Sequence, residues 1–491
     1  MNYCSTRDPA AAPKSAAEVI KQGLADDGGL YLPVTLPSLT GSDIQLLRSM
    51  DYAARAAIIL GKFLTDYTPE ELLADCEAAY SKTAFPSGAA PLRDCGDNLF
   101  ALELWHGPTA AFKDMALQIM PRLLVRALQK TGETRTALIL VATSGDTGKA
   151  ALEGYRDVTG TRIMVFYPEN GVSVIQKRQM QTQLGENVGV MAIRGNFDDA
   201  QTGVKKIFAD PAIAAQLDKQ GYLLSSANSI NWGRLAPQIV YYISAYCDLL
   251  NAGKIKPGEK INVTVPTGNF GNILAAYLAK RMGLPVAKLI CASNKNNILT
   301  DFLHTGTYDR HRPFYLTMSP SMDILISSNL ERLLFLAAGP ARTASYMKQL
   351  NETGAYTVED DVLSAIQTDF CGYFADEETT AATIRLAMMQ NYLIDPHTAV
   401  AYSAALQYRQ ETHDRTPMVI ASTASPFKFA VDVYASLYGE RPSDPLTAPV
   451  SLAERTGQFI PYPLVDIDKR AVRFDGICNK QELWHAVQQM L

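Results

Sequence analysis

Residues 137–148 read Ala137-Leu-Ile-Leu-Val-Ala142-Thr143-Ser144-Gly145-Asp146-Thr147-Gly148. The first part, ALILVA, is a compact apolar run without polar alternation, the mark of a strand buried on both faces. It empties into a Gly-rich turn, and a stretch of helical character follows. Strand–turn–helix is the unit from which parallel sheets are wound, with right-handed crossovers as the default. Runs of the same type recur at Ile163–Tyr167, Val188–Ile193, Ile261–Val265, Leu289–Ala292 and Met418–Ala421. Leu99–Leu104 is a further short candidate, and Asp114–Leu128 has helical spacing. The expected fold class is therefore α/β with parallel-rich sheets.

Upstream of about residue 95 the character differs and is mostly helical. A helical pattern starts at SAAEVIKQGL and is broken by Asp26-Asp27-Gly28-Gly29. A short extended piece, Leu30–Leu32, comes next, and Ser42 and Thr68 are suitable helix N-caps. Residues 253–258 and 438–448 are Pro/Gly-rich and suit boundaries or surface loops. The tail after about 450 holds Pro461 and Pro463, then a terminal helix from Lys480.

Composition narrows the function classes. The 491 residues are 47% hydrophobic and 19% charged, which suits a compact chain of two to four domains. The formal net charge of −5, without basic clusters, argues against nucleic-acid binding. No run of about 18 apolar residues is present, so no membrane span is expected, and the N-terminus lacks an apolar core of signal length. Seven scattered cysteines form no CxxC pair, which points to reduced thiols in a cytosol. The six histidines form no HxxxH pair, so no metal is expected. GxSxG and GxGxxG are both absent.

Four segments carry chemistry. In His106-Gly-Pro-Thr-Ala-Ala-Phe-Lys113-Asp114 a turn-rich stretch leads to a lysine at a helix start. The positive end of the helix dipole disfavours an ammonium there, and a Schiff base needs the neutral amine. Taken alone, the segment reads equally as an ordinary helix start with a surface lysine. Thr143–Gly148 presents backbone N–H groups to an anion. Lys149 invites a P-loop reading, but Thr143 stands where that pattern needs Gly, and Ala150 where it needs Ser or Thr. A carboxylate is the better guest; a plain capped turn is the alternative. Pro266-Thr-Gly268-Asn269-Phe270-Gly271-Asn272 follows another buried strand, and its two glycines allow a nest for a monoester phosphate. Ser422-Thr423-Ala424-Ser425-Pro426 puts small hydroxyls at a strand's C-terminal end, where open α/β sheets bind ligands, but is a weak signal alone. His397, in DPHTAV, reads as structural.

In this order the segments resemble the threonine synthases of the long bacterial and fungal kind. The resemblance runs through YCSTRD, GLADDGGLYLP, HGPTAAFKDMALQ, ATSGDTGKAA, GNFDDAQ, NSINWGRLAPQ, VPTGNFGN, ASNKNN, PSMDILISSNLER, DPHTAVA and STASPFKF. It implies pyridoxal 5'-phosphate and fold type II (tryptophan synthase β-like). Two open α/β domains are then expected, 136–254 small and mobile and 96–135 plus 255–491 large and cofactor-binding, behind a helical domain at 1–95. It also implies a carbon–oxygen lyase acting on phosphates, which makes L-threonine and phosphate from O-phospho-L-homoserine and water in the last step of threonine biosynthesis. Lys113 would carry the cofactor, Gly268, Asn269, Phe270, Gly271 and Asn272 its phosphate, and Thr423 its pyridine nitrogen. Ser144, Gly145, Asp146 and Thr147 would take the substrate α-carboxylate, through N–H groups and hydroxyls and not the Asp146 carboxylate. Asn196, Asn231 and Arg234 are the candidates for the substrate phosphate. Short-form relatives place an arginine where this chain has Thr202, so another cation, Arg234 or Lys177, is expected to serve. The resemblance leans towards a cytoplasmic monomer.

Overall fold

The computed structural model describes residues 1–491 except Pro9 and Ser144, and the side chains of those residues except that of Asp198. Among the described residues two larger sheets carry the architecture. The first runs in the order Phe370–Phe374, Val286–Ser293, Ile261–Pro266, Met418–Ser422, Leu99–Glu103, Leu92–Asp94. All its pairings are parallel except the last. The second runs in the order Ile477–Asn479, Val188–Arg194, Thr161–Pro168, Thr136–Ala142, Tyr222–Ser225, parallel throughout. Helices separate most of the strands, as both-face burial requires.

The N-terminal part is helical, with Ala16–Gln22, Gly41–Arg48, Tyr52–Phe63 and Pro69–Ala79, plus a small antiparallel pair, Tyr3–Ser5 with Tyr31–Pro33. Thr68 caps its helix as expected. Ser42 does not: Thr40 is the cap, because its hydroxyl and the Asp43 carboxylate satisfy each other's backbone N–H groups. The helical stretch expected over 114–128 is two helices, Asp114–Leu117 and Met120–Lys130, with Pro121 at the start of the second.

Two segments depart from the expected division of the chain. Ile477–Asn479 pairs with Val188–Arg194, and Leu483, Ala486 and Val487 of the terminal helix join the core of the smaller sheet. Helix Trp232–Asn251, expected in the smaller unit, packs in a core that includes the N-terminal helices, where Trp232 meets Phe63 edge to face and Tyr3 at a tilt, both at 5.5 Å between ring centroids. No helix among the described residues is long and apolar enough to cross a membrane.

The two sheets meet where the lysine helix touches the first helix of the smaller unit. A Cβ on Gly154, in Asp146–Tyr155, would fall 1.9 Å from the Leu117 carbonyl oxygen. Only a residue without a side chain lets these two backbones approach so closely. Gly154→Ala is expected to destabilise the fold by about 1–3 kcal/mol, read as a lowered urea midpoint with an unchanged slope. An unchanged midpoint would show that the helices do not meet this closely.

Candidate active site

The turn before Lys113 is fastened to the segment that follows strand Met418–Ser422. Phe112 N–H donates to the Thr423 carbonyl at 2.8 Å, and Ser425 N–H to the Ala110 carbonyl at 3.1 Å. Lys113 precedes a helix of only four residues, too short for a dipole to matter much. Its amine is buried, and that burial is the main reason its pKa falls to about 8. Asp146 opposes the fall, while Arg234 and Lys428 add to it.

Asp146 is the hub. Its carboxylate accepts from Gln176 Nε2 at 2.8 Å and Ser321 Oγ at 3.2 Å, pairs with Lys428 Nζ at 2.8 Å and lies 3.4 Å from Lys113 Nζ. Burial alone would raise its pKa, but the two lysines outweigh it and hold the carboxyl well below the usual range. Ser321 is in turn held by its backbone, whose N–H donates to His397 Nε2 at 3.1 Å. His397 Nδ1 faces Asp395 at 2.6 Å, which fixes the tautomer with the proton on Nδ1. His397 is thus structural, as expected, but it acts one residue away from the lysine.

Arg234 is buried, and its guanidinium donates to the Ala227 carbonyl at 2.8 Å and to Thr147 Oγ1 at 3.4 Å. It has no acidic partner among the described residues. Burial lowers its pKa to about 10. Ser144 lies outside the described residues. Gly145 N–H and Gly148 N–H both donate to Thr143 Oγ1 at 2.9 Å, so a threonine hydroxyl shapes this turn. Asn231 is used up locally: its amide caps helix Trp232–Asn251 through Gly233 N–H and donates to the Ile20 carbonyl. Asn196 is exposed and caps helix Phe197–Ala209 in a capping box with Asp199, with no bond to the cluster around Lys113. Lys177 shares helix Val174–Gln181 with Gln176 and is partly exposed. Lys149 is buried against Glu153 and Gln183, which explains why it serves no P-loop.

Strand Ile261–Pro266 ends at Thr267, and Phe270 takes a left-handed conformation, φ 63°, before helix Gly271–Met282. Within the loop, Ser327 Oγ donates to the Gly268 carbonyl and Asn329 to that of Asn269. The N–H groups of Gly268 through Asn272 find no protein acceptor among the described residues. Tyr241 and Tyr242 hydroxyls both donate to Asn272 Oδ1, at 2.5 and 2.6 Å, leaving its buried Nδ2 without a partner. A Cβ on Gly268 would fall 2.6 Å from the Ser321 carbonyl oxygen. No group of three or more His, Cys, Asp or Glu among the described residues is placed to hold a metal.

Residues 86–423 match the family described as pyridoxal-phosphate dependent enzyme, 2–80 match threonine synthase N terminus, and 398–487 match threonine synthase, C-terminal. Threonine synthase from Pseudomonas aeruginosa is 40% identical over 91% of this chain and 92% of its own length. The chain belongs to the threonine synthase family. Human threonine synthase-like 1 is 42% identical over 86% of the chain, which spans 58% of that longer relative. The crystal structure of PLP-bound threonine synthase from Brucella melitensis superposes with a TM-score of 0.88 at 38% identity, covering 100% of this chain and 99% of that one. The fold is accordingly that of the fold type II pyridoxal-phosphate enzymes.

The residues fit that cofactor. The unpartnered Asn272 amide and the open N–H groups of 268–272 suit a phosphate at a helix N-terminus. A buried lysine with its pKa near 8 suits capture of an aldehyde. Two results are expected with cofactor-free protein. Gly268→Ala should weaken pyridoxal phosphate binding at least tenfold in an absorbance titration; unchanged affinity would remove Gly268 from the phosphate loop. The neutral amine predominates only above its pKa, so the capture rate should climb roughly tenfold per pH unit and level off near pH 8. Continued climbing to pH 10 would mean an unperturbed lysine.

Proposed function

We propose that this chain is a threonine synthase, converting O-phospho-L-homoserine and water to L-threonine and phosphate. The observation that carries the substrate assignment is the buried Arg234 guanidinium without a carboxylate partner, beside Thr147 and close enough to Lys113 to lower its pKa. Buried charges are normally paired, and a phosphate would complete this one. Likeness to threonine synthases over most of the chain supports the reaction. In this reading Gly268 to Asn272 hold the cofactor phosphate, Thr423 faces the ring nitrogen, and the turn at Ser144 to Thr147 takes the α-carboxylate.

When bound, the cofactor supplies an electron sink for charge that develops next to the substrate's amino group. Lys113 is the base at the site: its amine takes the proton from the substrate Cα and later returns one there. Loss of a Cβ proton lets the γ-phosphate leave into the hold of Arg234; a proton delivered to Cγ then makes the methyl group, and water adds its hydroxyl at Cβ. Water that attacks Cα instead of Cβ once phosphate has left would divert the product to 2-oxobutyrate and ammonia. Closure of the smaller unit, 136–225 with 477–490, would keep it out. Seven unpaired thiols support a cytoplasmic setting, and a monomer is the assembly proposed by likeness to the long-form relatives.

The test is incubation of purified protein with O-phospho-L-homoserine, scoring phosphate, threonine and 2-oxobutyrate together. Equal phosphate and threonine is the expected result; phosphate with 2-oxobutyrate would make the protein a phospholyase instead. Lys113→Ala should reduce turnover by at least roughly 10²–10⁴-fold. Arg234→Met should raise KM for the phosphorylated substrate by roughly 10–100-fold, the loss of a charge-assisted hydrogen bond. An unaltered KM would move the phosphate elsewhere.

A further inference from the structure

Among the described residues, Asp146 is the one acidic side chain paired with Lys113, and it sits in the turn read above as the carboxylate site. Left to itself it would repel a substrate carboxylate and hold Lys113 in a tighter ion pair. A second cation answers it. Lys428 has no exposed surface; its Nζ lies 2.8 Å from Asp146 Oδ1 and donates to the Thr109 carbonyl at 2.9 Å. Lys113 stands farther off, 3.4 Å from the other oxygen. Lys428 is therefore the resident partner of Asp146, and it reaches across from the larger sheet's segment to the smaller unit's first helix.

We propose that Lys428 is a positioning residue for the reaction: it takes the closer share of Asp146, so that the turn at Gly145–Thr147 accepts a substrate carboxylate and Lys113 is left the more distant, loosely held partner of the carboxylate. The second half stands on the geometry alone; the first rests on the functional reading above. The groups facing Lys113 are Asp146 from helix Asp146–Tyr155, Arg234 from helix Trp232–Asn251, Lys428 from the turn Pro426–Phe429 and Ser321, with His397 behind it. Of these Asp146 raises the Lys113 pKa, while Arg234 and Lys428 lower it. Removing Lys428 takes away one lowering charge and turns Asp146 towards Lys113, and both effects push the amine upward.

The experiment compares Lys428→Met, Asp146→Asn and the double variant with wild type. One readout is the pH midpoint of pyridoxal phosphate capture by cofactor-free protein, which needs no substrate. The other is KM for O-phospho-L-homoserine. Lys428→Met should move the midpoint upward by about one pH unit and raise KM at least tenfold. Asp146→Asn should move the midpoint downward, and the double variant should bring both readouts of Lys428→Met back towards wild type. An unmoved midpoint in Lys428→Met, or a double variant no better than the single one, overturns the proposal. Should Lys428→Met fail to fold, Lys428→Gln takes its place with the same expected upward shift, and an unmoved midpoint there overturns the proposal equally. Wild-type protein inactive on O-phospho-L-homoserine would sink the functional reading alone, since the capture midpoints are measured without it.

Discussion

Two backbone hydrogen bonds, from Phe112 N–H to the Thr423 carbonyl and from Ser425 N–H to the Ala110 carbonyl, hang the lysine turn on the end of a buried strand. The site depends on this attachment. Strands Leu99–Glu103 and Met418–Ser422 lie side by side in parallel, so their C-terminal ends open on the same side of the sheet. The chain leaving each of them, 104–113 and 423–428, then runs on as a matched pair. Lys113, Thr423 and Lys428 are all delivered by that pair, from positions far apart in the sequence. The arrangement is the general one for open α/β sheets, in which ligands sit beyond the carboxyl ends of strands.

The charges around this attachment do not balance. Among the described residues Lys113 and Lys428 pair with one carboxylate, Asp146, and Arg234, near enough to act on Lys113, pairs with none. Asp114, below the turn, stays mostly ionised at neutral pH although burial raises its pKa to about 6, but Thr109 holds both its oxygens and it makes no ion pair among the described residues. A buried excess of cations is costly without a partner. It becomes favourable when an anion enters, and a doubly anionic guest suits it better than a neutral one. Tyr241 and Tyr242 fix the loop at 268–272 in a similar way, since two hydroxyls on one oxygen of Asn272 leave its amide no choice of orientation.

Much of this was visible in the residues. Strands buried on both faces announce themselves as apolar runs, and those at Ala137, Ile163, Ile261 and Met418 were read within two residues of their ends. Edge strands gave no such signal. Phe370–Phe374 carries Gly372 in its middle, and Ile477–Asn479 has three residues, so neither shows a run. Arg234 was legible through its motif; its lack of a counter-ion was not, because that is a property of neighbours brought from elsewhere. Lys428 lay inside a segment already singled out, yet a lysine after Ser-Pro-Phe reads as surface until the fold buries it. Asn196 and Asn231 show the converse: their motifs drew attention, and the structure spends both side chains on helix caps.

The return of the chain to the smaller sheet through Ile477–Asn479 alters how that sheet can move. A lobe inserted once into a chain has two attachments and can swing as a door on one hinge. This lobe has three: the entry before Thr136, the exit after Ser225 and the re-entry before Ile477. Any displacement must keep all three segments within reach at once, which favours a small tilt or slide over a wide opening. The terminal segment thus acts as a check-strap, limiting travel at the edge of the lobe opposite Tyr222–Ser225.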